Sequence, residues 1–167
     1  ITMTCSISRV YGVNESDVLN RKYNIYIGVS LGNAWFTKNH IREYVQWALN
    51  HTQKKVVVWI PEKMQVINYT VREKFPEKKA QLLAQTKGDK IQAIVQDVIS
   101  ELTLEDHMRI EVARSADTDT NEKLSHAKQI IYDFFEQDPT FRRTVLSVEK
   151  EIAGDKYTIA EQEQLVK

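Results

Sequence analysis

Cysteine, glycine and proline are scarce in this chain of 167 residues, which has one cysteine, five glycines and three prolines. A single cysteine, Cys5, excludes an internal disulfide and a metal cluster built from several cysteines. It also fits a reducing, cytoplasmic setting. Because so few glycines and prolines leave no flexible linker between domains, we expect residues 1–167 to form one domain.

An excess of charge and a long apolar run are also missing. Lys plus Arg and Asp plus Glu each number 23, so the formal net charge is zero. Since proteins that bind nucleic acid tightly are usually basic, this balance argues against strong nucleic-acid binding. No apolar run approaches the roughly 20 residues that span a bilayer, and no basic segment precedes an apolar stretch at the N-terminus. Membrane insertion and secretion are therefore not indicated.

Four segments have the pattern of β-strands. Met3–Arg9 and Met108–Ala113 alternate between apolar and polar residues. Asn24–Val29 is apolar and β-branched, and Val56–Ile60 is a continuous apolar run. Continuous runs of this kind are typical of central parallel strands that are buried on both faces.

Helical periodicity occupies the segments between and after these strands. One helix is expected to start near Asn39, and Asp138-Pro139 reads as a helix cap followed by proline at the first helical position. Three later apolar stripes follow helical spacing. They are Ile91, Ile94, Val95, Val98, Ile99 and Leu102; Leu124, Ala127, Ile131, Phe134 and Phe135; and Phe141, Val145, Val148 and Ile152.

This alternation of strands and helices predicts an α/β fold. A strand, a helix of about 12 residues and a second buried strand form a βαβ unit, which crosses over right-handedly and gives a parallel sheet. We therefore expect a Rossmann-like, three-layer domain with a central parallel sheet. Ligands of such folds bind at the carboxyl ends of the strands.

Ser30 directly follows the predicted strand Asn24–Val29, between Gly28 and Gly32. This is the edge at which a parallel sheet presents its active site, and the glycines allow a substrate to approach the hydroxyl. The G-x-S-x-G spacing also matches the nucleophile turn of α/β-hydrolases. However, no later histidine follows a suitable aspartate in the usual order. An ordinary strand-to-loop turn that contains a serine is the remaining alternative.

The flanks of this serine resemble the cyclodipeptide synthase family. The similar segments are GVSLGNAWF at 28–36, QWA at 46–48, VVV at 56–58, the helix of 138–152 with its D-x-x-F pattern, and KYTIAE at 156–161. The resemblance implies a fold like the catalytic domain of class Ic aminoacyl-tRNA synthetases. It also implies a monomer that takes amino acids from two aminoacyl-tRNAs per cycle and joins them into a cyclic dipeptide. No ATP and no metal are expected, because the amino acids arrive already activated.

The resemblance also assigns roles to residues. Ser30 would attack the first ester and hold aminoacyl and then dipeptidyl groups. Tyr157 and Glu161 match the family residues that hold the substrate's amino group and relay protons. The four-residue spacing would place both on one helical face. The residues themselves leave Glu161 open to a second interpretation, that of an ordinary exposed helix residue.

A first aminoacyl pocket is expected beside Ser30. Gly28 and Asn33 match family positions, and Tyr26 and Val58 lie on strands that face the pocket in the resemblance. Tyr26 would favour a polar first side chain, although a tyrosine there could equally belong to the core.

A basic stretch is the expected contact for tRNA. Phosphate contacts add affinity and salt dependence, and a modest excess of charge implies weak binding. A solvated helical face is the alternative. The candidate residues are Arg72, Lys74, Lys78, Lys79, Lys87 and Lys90. Two further alternatives for the whole chain are a serine hydrolase of small esters and a non-catalytic, Rossmann-like tRNA-binding module.

Overall fold

Three parallel strands form one sheet in the order β1 (Ile25–Gly28), β2 (Val56–Ile60) and β3 (Ile110–Arg114). A computed structural model of the chain describes residues 14, 16, 17, 20, 22–153, 158, 160 and 161, with no side chains described at 118, 119, 149 and 151–153. The predicted strand Met3–Arg9 lies outside the described residues. The parallel α/β fold class is confirmed.

Helices connect and follow the strands. Thr37 caps the first of them, as its side chain accepts the N–H of His40, and Asp138 Oδ1 accepts the N–H groups of Thr140 and Phe141 at the last. The cap expected at Asp138 is therefore confirmed. The helices are α1 (Lys38–His51), α2 (Glu62–Ile67), α3 (Glu77–Ser100), α4 (Leu104–His107), α5 (Ser115–Asp119), α6 (Glu122–Gln137) and α7 (Pro139–Ala153), and a π-helical turn covers Asn68–Arg72.

One face of the sheet is buried against α1 and the second half of α3. Val56 and Val58 of β2 are fully buried, together with Val45 of α1 and Val95 and Val98 of α3. The β-branched run of β2 suits this position, because branched side chains pack well on a pleated surface. The stripe predicted on α3 is therefore a true core face.

The structure groups into two compact units. One unit contains the sheet and consists of the residues up to Glu62 and Ala84–Ser115. The other consists of Lys63–Leu83 and the residues from Ala116 onwards, and includes α6 packed with α7. The expectation of one domain stays a prediction.

Ion pairs join the start of α1 to the end of α3. Arg42 Nε lies 2.9 Å and Lys38 Nζ 2.7 Å from the carboxylate of Glu101. The hydrogen bond from Arg42, and after it that from Lys38, lowers the pKa of Glu101 to about 2. Lys38 also pairs with Asp97. Because α1 follows directly on the turn that contains Ser30, this network anchors the first residues after that turn to the sheet unit.

A second polar cluster lies at the carboxyl end of β3. Arg114 donates to Glu62, and its Nη1 lies 2.7 Å from both Asp89 Oδ1 and Gln92 Oε1. The other carboxylate oxygen of Glu62 accepts the N–H of Ser115 at 3.2 Å. A half-buried arginine is stabilised by such multiple charge-assisted bonds, which fix the end of β3 to Glu62 and to the second half of α3.

Gly88 is required by this cluster, and we expect Gly88→Ala to destabilise the protein. A Cβ at this position would lie 2.8 Å from Glu62 Cγ and Oε1 and 3.0 Å from Arg114 Nη2. Alanine improves helix propensity by about 1 kcal/mol, but overpacking typically costs about 1–3 kcal/mol. The free energy of unfolding, measured with urea, should fall by about 1 kcal/mol.

The matched control is the same substitution in a Glu62→Ala background. In that background the Cγ and Oε1 atoms of residue 62 are absent, and Gly88→Ala should leave the free energy of unfolding unchanged or raise it by about 0.5–1 kcal/mol. Equal destabilisation in both backgrounds would contradict the role given to Glu62.

None of the helices in the described ranges is long and apolar enough to cross a membrane.

Candidate active site

Ser30 lies exposed in the turn that follows β1. Val29 extends the sheet pairing by donating its N–H to the carbonyl of Trp59 at 3.0 Å, and its side chain is buried. Leu31 is buried as well, so buried apolar side chains anchor the backbone on both sides of Ser30. The hydroxyl therefore stands at the carboxyl edge of a parallel sheet, where a substrate can reach it.

Asn33 shapes this turn. Its N–H donates to the carbonyl of Ser30 at 3.3 Å, and its side-chain Oδ1 accepts the N–H of Trp35 at 2.9 Å. An asparagine that hydrogen-bonds the backbone two residues ahead mimics a backbone turn, which explains why this residue type suits the position. In this structure Asn33 is an organiser of the loop, and its predicted contact with substrate stays a prediction.

An open space lies over Gly28. A Cβ built there would meet no atom of the described residues within 4 Å, and Tyr26, on the same face of β1, is 70% exposed. Side chains two residues apart on a strand share a face, so Tyr26 and Gly28 border the same open surface. In the described part of the chain, this surface lies uncovered next to Ser30. Tyr26 therefore does not belong to the core among the described residues.

Val58 lies on the opposite face of the sheet. It pairs with Ile27 and is fully buried in the core, so it does not line the surface that Tyr26 and Gly28 border. Its neighbours Val57 and Trp59 pair with Tyr26 and Gly28 and share their face. The indole N–H of Trp59 is buried and has no hydrogen-bond partner in the described part of the chain. Val57 and Trp59 are thus the β2 residues on the face of Tyr26 and Gly28, and the continuous apolar run of β2 does not show from the sequence which face they take.

Glu161 lies in the first turn of a helix in the second unit. Its carboxylate accepts the N–H of Thr158 at 2.9 Å and the Thr158 hydroxyl at 3.0 Å, while its own N–H donates to that hydroxyl at 3.3 Å. This reciprocal pattern is a capping box. The ammonium of Lys74, and after it Thr158, lowers the pKa of Glu161 to about 2. Glu161 therefore carries a full negative charge at neutral pH, and it is only partly exposed, at 27% of its side chain.

Tyr157 lies outside the described residues, so its predicted pairing with Glu161 on one helical face stays a prediction. Among the described residues, Glu161 is paired with Lys74. Lys74 itself has a backbone φ of 55°, in the left-handed region that non-glycine residues seldom adopt.

The six candidate tRNA contacts have different surroundings. Lys78 and Lys90 are exposed on α3. The ammonium of Lys79 lies 3.8 Å above the ring of Phe75, a cation–π contact, and Lys74 pairs with Glu161. Arg72 is half-buried and Lys87 is exposed. Lys74 would therefore have to give up a carboxylate to bind a phosphate.

The sequence profile of the cyclodipeptide synthase family matches residues 9–164 of this chain. This range contains the turn of Ser30, the basic stretch and Glu161. No curated protein matches the sequence.

Solved structures match the fold. A Mycobacterium tuberculosis protein, described as demonstrating that cyclodipeptide synthetases are related to type I tRNA synthetases, aligns with a TM-score of 0.78 and 16% identity over 90% of this chain and 64% of its own. A cyclo(L-leucyl-L-phenylalanyl) synthase aligns with a TM-score of 0.72 and 14% identity, over 90% of this chain and 68% of its own. A cyclodipeptide synthase from Staphylococcus haemolyticus aligns with a TM-score of 0.69 and 19% identity, over 90% of this chain and 68% of its own. The chain thus spans about two thirds of the length of these structures, and at such identities they show the fold alone.

Proposed function

The chain belongs to the cyclodipeptide synthase family, and from this membership we propose that it joins two amino acids, delivered by aminoacyl-tRNAs, into a cyclic dipeptide through acyl intermediates on Ser30. The observation that carries the proposal is the exposed hydroxyl of Ser30 at the carboxyl edge of the sheet, beside the open space over Gly28. No other described serine combines this position in the fold with the family's motif.

The proposed chemistry is a double displacement on Ser30. The Oγ attacks the ester carbonyl of the first aminoacyl-tRNA, the bond to the ribose oxygen breaks, and that oxygen leaves with a proton. The α-amine of the seryl ester then attacks the second aminoacyl-tRNA and forms an amide, which releases the second tRNA. Finally the terminal amine attacks the seryl ester and closes the ring, returning the proton to Oγ. Covalent catalysis of this kind divides one difficult step into easier ones.

Glu161 is proposed to serve the amine steps through its charge. Because Lys74 and Thr158 hold its pKa near 2, this carboxylate is a weak base at neutral pH but a permanent anion. An anion of this kind can accept a hydrogen bond from the N–H of a nearby neutral amine and so orient it for attack, while the proton that the amine loses leaves with the departing oxygen. Tyr157 is proposed to share this role, as the resemblance implies.

The proposed tRNA partner fits weak binding. The basic stretch contains only a modest excess of positive charge, so few phosphate contacts and quick release are expected. Neither ATP nor a metal is required, since the ester bond supplies the free energy of peptide formation. Because charged tRNAs are cytoplasmic, we propose that the protein acts there.

The test of this function is product formation from purified components. The protein is incubated with a mixture of charged tRNAs, and the reaction is analysed by mass spectrometry for diketopiperazines and for intact protein carrying one aminoacyl group. Both species are expected. Uncharged tRNA with free amino acids serves as the control and should give neither.

Three outcomes would contradict the proposal in different ways. Turnover of a chromogenic ester without tRNA, and without diketopiperazine, would favour the hydrolase alternative. Retention of tRNA without acylation would favour the non-catalytic module. Acylation on a residue other than Ser30 would leave the family assignment intact but would refute the nucleophile.

A further inference from the structure

Three aromatic side chains that follow the turn of Ser30 contact one another, and one of them, Trp35, is connected to the turn by a hydrogen bond from its backbone to Asn33. Trp35 lies five residues after Ser30, and the rings of Trp35 and His40 stack with centroids 4.1 Å apart and an interplanar angle of 19°. The indole Nε1 of Trp35 donates to the hydroxyl of Tyr44 at 3.0 Å. His40 and Tyr44 both belong to α1, so Trp35 is attached to that helix at two points.

The backbone of Trp35 is held as firmly as its ring. Its N–H donates to Asn33 Oδ1 at 2.9 Å. Its carbonyl accepts the N–H of Thr37 at 2.7 Å and also the ring Nδ1 of His40. Since a carbonyl can only accept, the His40 Nδ1 must carry the proton. Every hydrogen-bonding group of Trp35 is therefore used to fix it in one orientation.

This arrangement leads back to Ser30 in two steps. The Asn33 that accepts from Trp35 donates its own N–H to the Ser30 carbonyl at 3.3 Å. At the other end, the ring of Tyr44 lies 6.3 Å from the ring of Phe36, which packs against the hydrophobic core. A continuous set of contacts therefore runs from the core through Tyr44, Trp35 and Asn33 to the backbone of Ser30.

We propose that Trp35, His40 and Tyr44 form an aromatic clamp that positions the Ser30 hydroxyl for attack on the aminoacyl ester, so that they are positioning residues for acyl transfer. The proposal rests on the proposed function. Trp35 is 46% exposed, so burial alone does not explain why the indole is fixed so completely. A nucleophile in a loop gains from such rigidity, because a misplacement of about 1 Å can cost about 10²-fold in rate.

The experiment removes the hydrogen bond from either side. Tyr44→Phe removes the hydroxyl that accepts the hydrogen bond, and Trp35→Phe removes the indole N–H that donates it. Both variants keep an aromatic ring at the substituted position. Single-turnover acylation of Ser30 by aminoacyl-tRNA should slow by about tenfold in each variant, with the tRNA concentration for half-maximal rate unchanged. Because both substitutions remove the same bond, the double variant should be no slower than the slower single variant. Tyr23→Phe, at an exposed tyrosine outside the clamp, is the matched control and should acylate normally.

A second readout does not depend on catalysis. Hydrogen exchange of the amides of Asn33 and Phe36, which close the turn, should become roughly tenfold faster in Tyr44→Phe if the clamp orders the loop. Unchanged exchange overturns the clamp. Faster exchange with unchanged acylation, or a change only in half-maximal tRNA concentration, overturns its role in positioning. Failure of the unmodified protein to be acylated overturns the proposed function, and the positioning role with it.

Discussion

Ser30→Ala is expected to abolish the acyl-enzyme and to lower diketopiperazine formation by about 10³-fold or more, because no other group in the proposed cycle can accept the aminoacyl ester. Ser30 is exposed, so loss of its hydroxyl should leave the fold intact and the free energy of unfolding within about 0.5 kcal/mol of its original value. The measurement is intact-protein mass spectrometry after incubation with charged tRNAs, together with a urea titration.

Two further variants sharpen this test. Ser125→Ala changes an exposed serine on α6 and should be acylated as usual. Ser30→Cys should change the chemical type of the acyl bond from an ester to a thioester, which neutral hydroxylamine cleaves much more readily. Label that survives Ser30→Ala would show that another residue is the nucleophile, and the proposed cycle would then have to be abandoned.

Glu161→Gln is expected to lower product formation by about 10²-fold, a size typical of groups that handle protons or ammonium ions in catalysis. Glutamine also fits the third position of a capping box, so the helix start at Thr158 should be retained while the charge is lost. The first acylation of Ser30 should be affected less than the steps that use an amine. Quench experiments that separate aminoacyl-enzyme from product measure this difference.

Glu161→Ala and Glu122→Gln are the controls. Glu161→Ala removes the cap as well as the charge and should lower the free energy of unfolding by about 1 kcal/mol. Glu122→Gln changes an exposed carboxylate on α6 and should have full activity. Because the pKa of Glu161 is near 2, its own titration should not appear in the activity profile between pH 5 and 9. If Glu161→Gln is fully active, the residue is only a helix cap.

The sheet was predictable because its strands are short apolar runs between clear helical stripes. The run predicted as β2 is a strand from Val56 to Ile60, as expected, and β1 agrees within one residue at each end. β3 begins at Ile110, two residues after the predicted start, because Met108 and Arg109 complete the turn after α4. The short helix α2 and the π-helical turn of 68–72 were not predicted, since segments of five or six residues show too little periodicity to be recognised.

Contacts between distant segments were harder to predict than elements. The position of Ser30 followed from local order along the chain, because a residue after a parallel strand must lie at the carboxyl edge. The face of the sheet on which Val58 lies could be predicted only by knowing which side of β2 the helices cover, and a continuous apolar run does not give that information. The pairing of Lys74 with Glu161 joins residues 87 positions apart, and nothing in the sequence connects them.

The helix start at Thr158 has a local signal in the sequence. Thr158 and Glu161 have the spacing of a capping box, which by itself predicts that the glutamate is a helix-start residue. Its match to the family motif and its role as a cap are compatible, because a carboxylate held by its own backbone is also pre-oriented.

The open space over Gly28 bears on substrate selection. A Cβ there would meet no atom of the described residues within 4 Å, so a change to alanine clashes with nothing in that part of the chain. The cost of such a change falls on whatever molecule occupies the space. Under the proposed function, Gly28→Ala should therefore change which aminoacyl side chain fits beside Ser30 more than it changes the free energy of unfolding.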